Sequence, residues 1–183
     1  MKLSGESRTL TGNGIELRPH ARRNYEIYGR WYSDPTVWHL TSWTAEPLRP
    51  REVERLFEDR EASTTEKSFA IHLPNNREPL GIISLMNISK AHASADLSII
   101  VGNSDDRARG YGTEAIRTIL KHAFEDLGLH RVGLSVFEFN EAALKTYERL
   151  GFNQEGCLRS AVKRDGTHYN AILMSILATD WNA

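Results

Sequence analysis

The sequence predicts a mixed α/β domain with a mostly antiparallel sheet and one parallel βαβ crossover. Three observations carry this prediction. Three short apolar runs, 69–73, 80–88 and 95–101, follow one another with links too short for a helix, which favours an antiparallel meander. The segment 113–127 then repeats apolar residues (Ala115, Ile116, Ile119, Leu120, Ala123, Phe124, Leu127) at i, i+3, i+4 and i+7, the pattern of an amphipathic helix. An alternating run at 130–139 follows, so strand, helix and strand make one crossover, expected right-handed.

Length and composition set the class. A chain of 183 residues suits a single domain, 1–183, with a core of ordinary size. A formal net charge of −1 supplies no basic field for nucleic acid or anionic lipid, so neither partner is expected. One cysteine, Cys157, excludes an intramolecular disulfide and argues against a cysteine-based metal cluster; no metal is expected. Cys157 reads as a small buried apolar side chain in a strand. No apolar stretch follows Lys2 and the run 171–178 is too short to span a bilayer, so the expected location is the cytoplasm.

The elements can be justified in order. Residues 1–13 are polar and read as a loose start. Ile15-Glu16-Leu17-Arg18 alternates and is closed by Pro19, giving a first strand. Tyr25, Tyr28, Trp31 and Tyr32 share one face of a helix over 21–33, which Asp34-Pro35 stops. Trp38 and Trp43 extend this aromatic series. Core packing accounts for most of it; the functional reading makes Trp31, Tyr32 and Trp38 walls of a substrate pocket. Pro50 opens a second helix with the stripe Val53, Leu56 and Phe57. After the meander and the long helix, Gly128 is a stop. Asn140 is an N-cap for a helix that ends at Gly151, and 152–162 and 167–177 form a hairpin around Arg164-Asp165-Gly166.

The turn between the meander and the long helix concentrates the chemistry. It reads Asp105-Asp106-Arg107-Ala108-Arg109-Gly110-Tyr111-Gly112-Thr113-Glu114. Glycines let a ligand approach the backbone, and the first N–H groups of a helix lack internal partners and carry partial positive charge. Such an end suits phosphate, and Arg107 and Arg109 add cationic side chains. The bland alternative is a tight helix entrance with solvated arginines. The letters fit two ligand patterns: Arg-x-x-Gly-x-Gly, and the dinucleotide fingerprint Gly-x-Gly-x-x-Ala at Gly110, Gly112 and Ala115. A dinucleotide fold begins with parallel strands and places its turn tightly off a strand. Here a meander precedes the turn and residues 102–106 separate it from the strand, which disfavours an NAD(P)-binding protein without removing it; Glu138 would mimic its ribose-binding acid.

Arg107-x-x-Gly110-x-Gly112 resembles the acetyl-CoA pyrophosphate loop of the GNAT N-acetyltransferase family. Residues 140–152, with Asn140 opening a helix, Tyr147 two turns on and Leu150-Gly151-Phe152 at its end, resemble that family's second signature in the right order and spacing. Ile15-Glu16-Leu17-Arg18-Pro19, Trp31-Tyr32-Ser33-Asp34-Pro35 and Phe152-Asn153-Gln154-Glu155-Gly156 look like the RimJ/RimL subgroup, which acetylates ribosomal-protein N-termini. Asp165-Gly166 and Tyr169-Asn170-Ala171-Ile172 also resemble spermidine acetyltransferases. The resemblance covers nearly the whole chain.

It implies a GNAT-type fold with helices on both faces of the sheet, and acetyl-CoA as co-substrate. The backbone at Ile99, Ile100 and Val101 would pair with the pantetheine arm. Arg107, Ala108, Arg109, Gly110, Tyr111, Gly112 and Thr113 would hold the pyrophosphate, and Asn140 the pantetheine. Tyr147 would protonate the departing thiolate. Asp96, where relatives often place a Glu, would take the proton of the attacking amine, through a water because Asp is one methylene shorter. The bland readings are a plain cap for Asn140, a core tyrosine for Tyr147 and an ordinary strand residue for Asp96. The implied acceptor is a primary amine, with a peptide N-terminus first and a polyamine or other small amine second. A polyamine needs converging carboxylates, and the sequence offers Asp34, Asp96, Glu138 and Asp165. A non-catalytic acetyl-CoA-binding module is the rival from another class. Many relatives pair, so a homodimer is a further expectation.

Overall fold

The computed structural model describes residues 8–181. Its centre is one eight-stranded sheet in the order β1-β2-β3-β4-β5-β6-β8-β7. β1 (Leu10–Thr11) and β2 (Glu16–Arg18) form a small antiparallel hairpin, with Leu10 opposite Leu17. The polar start thus contributes a strand, because Leu10, Ile15 and Leu17 are buried in the main core; residues 1–7 lie outside the described ones. β3 (Lys67–His72), β4 (Gly81–Ser89) and β5 (Ser94–Val101) are the expected antiparallel meander. β6 (Arg131–Phe137) lies parallel to β5, and β8 (Thr167–Leu177) and β7 (Asn153–Arg164) complete the sheet antiparallel to their neighbours.

Helices cover both faces. α1 (Tyr25–Ser33) and α3 (Pro50–Ala62) pack on one side, where Tyr25, Tyr28, Trp31, Val53 and Phe57 close over Ala70 and Ile82. The aromatic series of the first helix is thus mostly core: Tyr28 is fully buried, with its ring 4.5 Å from that of Phe57. Asp34-Pro35 both stops α1 and starts a further helix, α2 (Pro35–Thr41). The Asp34 carboxylate accepts from the Thr36 N–H at 2.7 Å, and Pro35 occupies the first turn, where no N–H is needed. On the other face α4 (Tyr111–Lys121) buries Ala115, Ile116, Ile119 and Leu120 against β-sheet side chains. The long helix starts two residues earlier than its apolar repeat suggested, and its last turn, His122–Asp126, is a π-helix. Gly128 follows with φ +64°, a left-handed position that suits glycine. α5 (Glu141–Arg149) packs Ala143, Leu144 and Tyr147 on the same core.

Cys157 is exposed, not buried. It lies on β7, the sheet's last strand, which has β8 on one side only. An edge strand with few residues over it leaves most of its side chains in solvent.

Under the α1/α3 layer runs a part-buried polar strip. His20 bridges the Tyr28 hydroxyl (2.9 Å) and the Ser68 hydroxyl (2.8 Å), and Ser68 continues to Ser84 at 2.6 Å. Burial pushes the His20 imidazole down to about 3, with Arg60 and His72 adding like-charge repulsion. The unfolded chain binds a proton at His20 below about 6.5, whereas the folded chain resists it until about 3. Stability should therefore fall as pH is lowered through this window, by up to about 1.4 kcal/mol per pH unit from this group. Urea unfolding at pH 7.5 and 5.5 measures it; equal stabilities would contradict the burial of a neutral His20. A second expectation concerns Gly102, where an added Cβ would fall on the Trp31 indole. Gly102→Ala should cost about 1–3 kcal/mol in the same assay.

Candidate active site

The sheet does not stay closed. β5 and β6 pair at Ser94–Arg131, Ala95–Val132 and Asp96–Gly133 and then separate. Beyond the fork β5 is bonded only to β4, and β6 only to β8. The Gly102 N–H donates to the Leu80 carbonyl on the β4 side at 2.9 Å. Backbone groups alternate direction along a strand, so those of Ile100 also face β4, while those of Ile99 and Val101 face the gap. A cleft of about 820 Å³ fills the opening.

Residues 107–113 close one end of this cleft, and all seven line it. Ala108 (φ +61°) and Gly110 (φ +87°) are both left-handed, which coils the chain tightly before α4. Gly110 carries no side chain to be strained there. The Glu114 N–H donates to the Gly110 carbonyl, so the preceding N–H groups at Tyr111, Gly112 and Thr113 are the orphans of the helix start. Gly112 packs close to Ile99 and Val101: a Cβ there would lie 3.5 Å from Val101 Cγ2. The helix entrance therefore abuts the free strand edge. Arg109 faces the cleft with no ion pair among the described residues. Arg107 lines it too, but its Nε donates to the Val101 carbonyl (3.2 Å) and Nη2 to the Gly102 carbonyl (3.0 Å). It clamps the loop onto the strand end.

α5 forms the opposite wall. Asn140 is its N-cap: Oδ1 accepts from the Ala143 N–H at 3.3 Å, and Nδ2 donates to the Leu40 carbonyl at 3.3 Å, tying α5 to α2. Tyr147 lines the cleft with its ring 5.6 Å from Phe152. Its hydroxyl has no hydrogen-bond partner among the described residues, and loss of solvent pushes its pKa up to about 12. A phenol in that state is a proton donor at neutral pH and not a base.

The other end is apolar. Val37, Leu40 and Thr41 of α2, then Trp43, Met86 and Phe137, line it with the hydroxyls of Ser98 and Ser135. Trp43 is 52% exposed and its ring lies 5.0 Å from that of Phe137. Behind them Arg164 stacks 4.1 Å over the Trp38 ring and donates to the carbonyls of His39 and Ser42, capping the end of α2.

The remaining expected site residues sit elsewhere. Trp31 is buried beside Gly102, its Nε1 donating to Asn103 Oδ1 at 3.4 Å. Tyr32 accepts from Arg60 at 3.1 Å and packs on Phe57. Trp38 is spent on Arg164 and on the Thr44 carbonyl. None of these three lines the cleft; Trp43 does. Asp96 is exposed at the fork, holds Asn87 Nδ2 at 2.9 Å and is also off the cleft wall. The four carboxylates considered for a polyamine do not converge. Asp34 caps α2, Asp96 holds Asn87, Glu138 holds Asn170 (2.7 and 2.9 Å), and Asp165 sits at the tip of the last hairpin. The sequence analysis missed Val37, Leu40 and Thr41 because it read Asp34-Pro35 only as a stop. The same dipeptide is a start signal, and the three residues are spaced i, i+3, i+4.

A forked sheet, a helix entrance with free N–H groups against one strand edge and a tyrosine on the other wall define an acyl-CoA-dependent acetyltransferase fold. The chain belongs to the GNAT family: the Acetyltransferase (GNAT) domain model matches residues 15–153. Escherichia coli spermidine N(1)-acetyltransferase is 26% identical over 167 residues, covering 91% of this chain and 87% of that one. The putative ribosomal N-acetyltransferase YdaF of Bacillus subtilis is 31% identical over 101 residues, 55% of each chain. Spermidine N-acetyltransferase from Vibrio cholerae, solved with CoA and spermine, superposes with a TM-score of 0.83 at 24% identity, covering 91% of this chain and 97% of that one. This protein is thus an acetyl-CoA-dependent N-acetyltransferase, and the dinucleotide reading falls with the parallel sheet it required. Among the described residues no helix is long and apolar enough to cross a membrane.

The tyrosine gives a direct check. Ultraviolet titrations of the wild type and Tyr147→Phe should coincide in tyrosinate absorbance up to about pH 11, because this phenol ionises only at about 12. A wild-type excess of one tyrosinate near pH 10 would contradict the desolvated hydroxyl.

Proposed function

We propose that this protein acetylates the α-amino group of a peptide N-terminus by direct attack within a ternary complex. The observation that carries the reading is the fork between β5 and β6, which opens onto free helix N–H groups at one end and an apolar mouth at the other. The cleft fits acetyl-CoA on this chain's own features. Orphan N–H groups at Tyr111, Gly112 and Thr113, with Arg109, suit a pyrophosphate. Strand-edge groups at Ile99 and Val101 suit the amides of a pantetheine arm, added like one more strand. Ile100 lies on the same edge with its side chain in the cleft wall. Arg107 and Ala108 keep the loop in its coiled shape, and Asn140 holds α5 at the width the arm requires.

When bound, acetyl-CoA supplies an activated acetyl group. The protein then has three tasks. The Ile99 N–H, facing the gap, would polarise the thioester carbonyl. Tyr147 would give its proton to the departing thiolate. The ammonium proton must leave for a carboxylate reached through hydroxyls or water, because only a neutral amine attacks. The family pattern points to Asp96 for this role, but Asp96 lies one pair from the open gap and off the cleft wall.

The apolar wall of Trp43, Phe137, Val37 and Leu40, backed by the cation of Arg164, favours an amine carried on an uncharged body. A polycation gains nothing there, since no carboxylate lines that end among the described residues. A spermidine-like acceptor is the second reading, supported by the relatives named for that activity.

Thermal unfolding with acetyl-CoA, CoA, NAD and NADP in separate samples tests the co-substrate site. Acetyl-CoA and CoA should raise the melting temperature and the dinucleotides should not. Acetylation of peptides starting with Ser, Ala or Phe, run beside spermidine, then ranks the acceptors. Higher kcat/KM for spermidine would replace the first reading with the second. Tyr147→Phe should keep the thermal shift while kcat falls about 100-fold. Unchanged turnover would remove Tyr147 from the chemistry, and no turnover by the wild type with any amine would favour a non-catalytic binding module.

A further inference from the structure

Glu66 is a half-buried carboxylate that nothing above uses. It immediately precedes β3 and is only 16% exposed. Arg60 of α3, 10% exposed, brings its Nε to 3.0 Å from Glu66 Oε1. The angle is not that of a hydrogen bond, so Oε1 is a buried acceptor with no donor. Carboxylates in such places are costly, and one with a vacant acceptor atom invites a proton.

The polar strip leads from this carboxylate toward the cleft. Ser68 on β3 stands opposite Ser84 on β4, and Ser84 opposite Ser98 on β5. Residues directly opposite across strands share a face, so the three hydroxyls form a row. Ser68 and Ser84 are hydrogen-bonded at 2.6 Å, and the Ser84 hydroxyl near Glu66 favours the ionised form of that carboxylate. Ser98 is the end of the row that lines the cleft. No hydrogen bond joins Ser98 to Ser84 among the described residues; at the usual 4.5–5.5 Å or so between opposite Cβ atoms, one rotamer change or one water closes that step. Upstream, the neutral His20 donates or accepts at Ser68 and is held by Tyr28. The groups that face Glu66 are therefore Arg60 from α3, which is itself held by the Tyr32 hydroxyl of α1, and Ser84 from β4.

We propose that Glu66 is the proton acceptor of the acetyl transfer, reached from the cleft through the hydroxyls of Ser98 and Ser84. This inference rests on the amine-acetylation reading above. In the step, the ammonium N–H bond breaks and its proton passes to Ser98 Oγ. Ser98 releases its own hydroxyl proton to Ser84, and Ser84 releases its own to a Glu66 oxygen. The neutral amine keeps the electron pair it uses to form the amide, and Glu66 later returns the proton to solvent along the same row. Desolvation raises the Glu66 pKa above the usual carboxylate value, which improves it as a base. Asp96, exposed and held by Asn87, has neither the burial nor a place on the wall.

The test uses the whole protein, acetyl-CoA, and two acceptors: spermidine and a peptide starting with Ser. Glu66→Gln should lower kcat about 100-fold at pH 7, leave the KM for acetyl-CoA unchanged, and recover most of its rate by pH 9.5. At that pH the α-amino group of the peptide, whose ordinary pKa is about 8, has already shed its proton to solvent and needs no acceptor, so the rescue is read with the peptide. A merely structural Glu66 would show no such rescue. If Glu66→Gln does not fold, Ser84→Ala decides, because it leaves the Arg60–Glu66 pair intact and should show the same rescued loss. Wild-type kcat and pH profile in a folded Glu66→Gln, or in Ser84→Ala where that variant decides, would overturn the proposal. Loss in Asp96→Asn with both of the others unaffected would overturn it too and return the role to Asp96. A wild type inactive on both acceptors would sink the amine-acetylation reading itself and the relay with it.

Discussion

The separation of β5 from β6 after the Asp96–Gly133 pair is the constraint on which the rest of this molecule depends. Two strands that part leave backbone groups without partners, and buried polar groups are expensive when unpaired. The fold accepts that cost only along one line. Everything bordering the line serves to keep it open and to supply polar partners at its ends. α4 starts against the β5 edge, α5 stands on the β6 side, and Arg107 takes the Val101 and Gly102 carbonyls where the strand runs out. A closed sheet would have spent the same groups on itself and left no place for an extended ligand.

The layer of α1 and α3 answers a different demand. It seals the face of β3 and β4 with aromatic side chains, yet it encloses His20, Ser68, Ser84, Glu66 and Arg60. Hydrophobic packing alone would favour apolar residues at those positions. Their place next to a wall of the cleft is what the proposed proton relay uses. α2 is held by neither core. It is fastened by contacts from distant parts of the chain: Asn140 to the Leu40 carbonyl, and Arg164 to the carbonyls at its end. The apolar mouth of the cleft is thus assembled from the first third of the chain but positioned by the last.

Local signals made much of this legible. The period-2 runs of the meander, the 3.6-residue repeat of α4, and the glycines at 110, 128 and 151 all matched the elements formed. Such features depend on residues close in sequence, where sterics and hydrogen-bond geometry act directly. Tyr147 and the turn at 107–113 were also readable, since each belongs to a short motif at one helix end. The aromatic residues were less so. Trp31, Tyr32, Trp38 and Trp43 look alike in a sequence, and only packing separates the buried and engaged ones from Trp43. The same holds for Cys157, whose exposure follows from a strand's rank in the sheet.

The sequence by itself determined most of the element types (not β1 or α2), the glycine turn at the helix entrance and the family. These follow from neighbouring residues and from motifs a few positions long. Only the tertiary structure decided where the sheet forks, which aromatic faces the cleft, that four carboxylates fail to converge, and that Glu66 lies half-buried between Arg60 and a row of serines. Each of those depends on pairing and burial between segments tens of residues apart, and no local pattern records them.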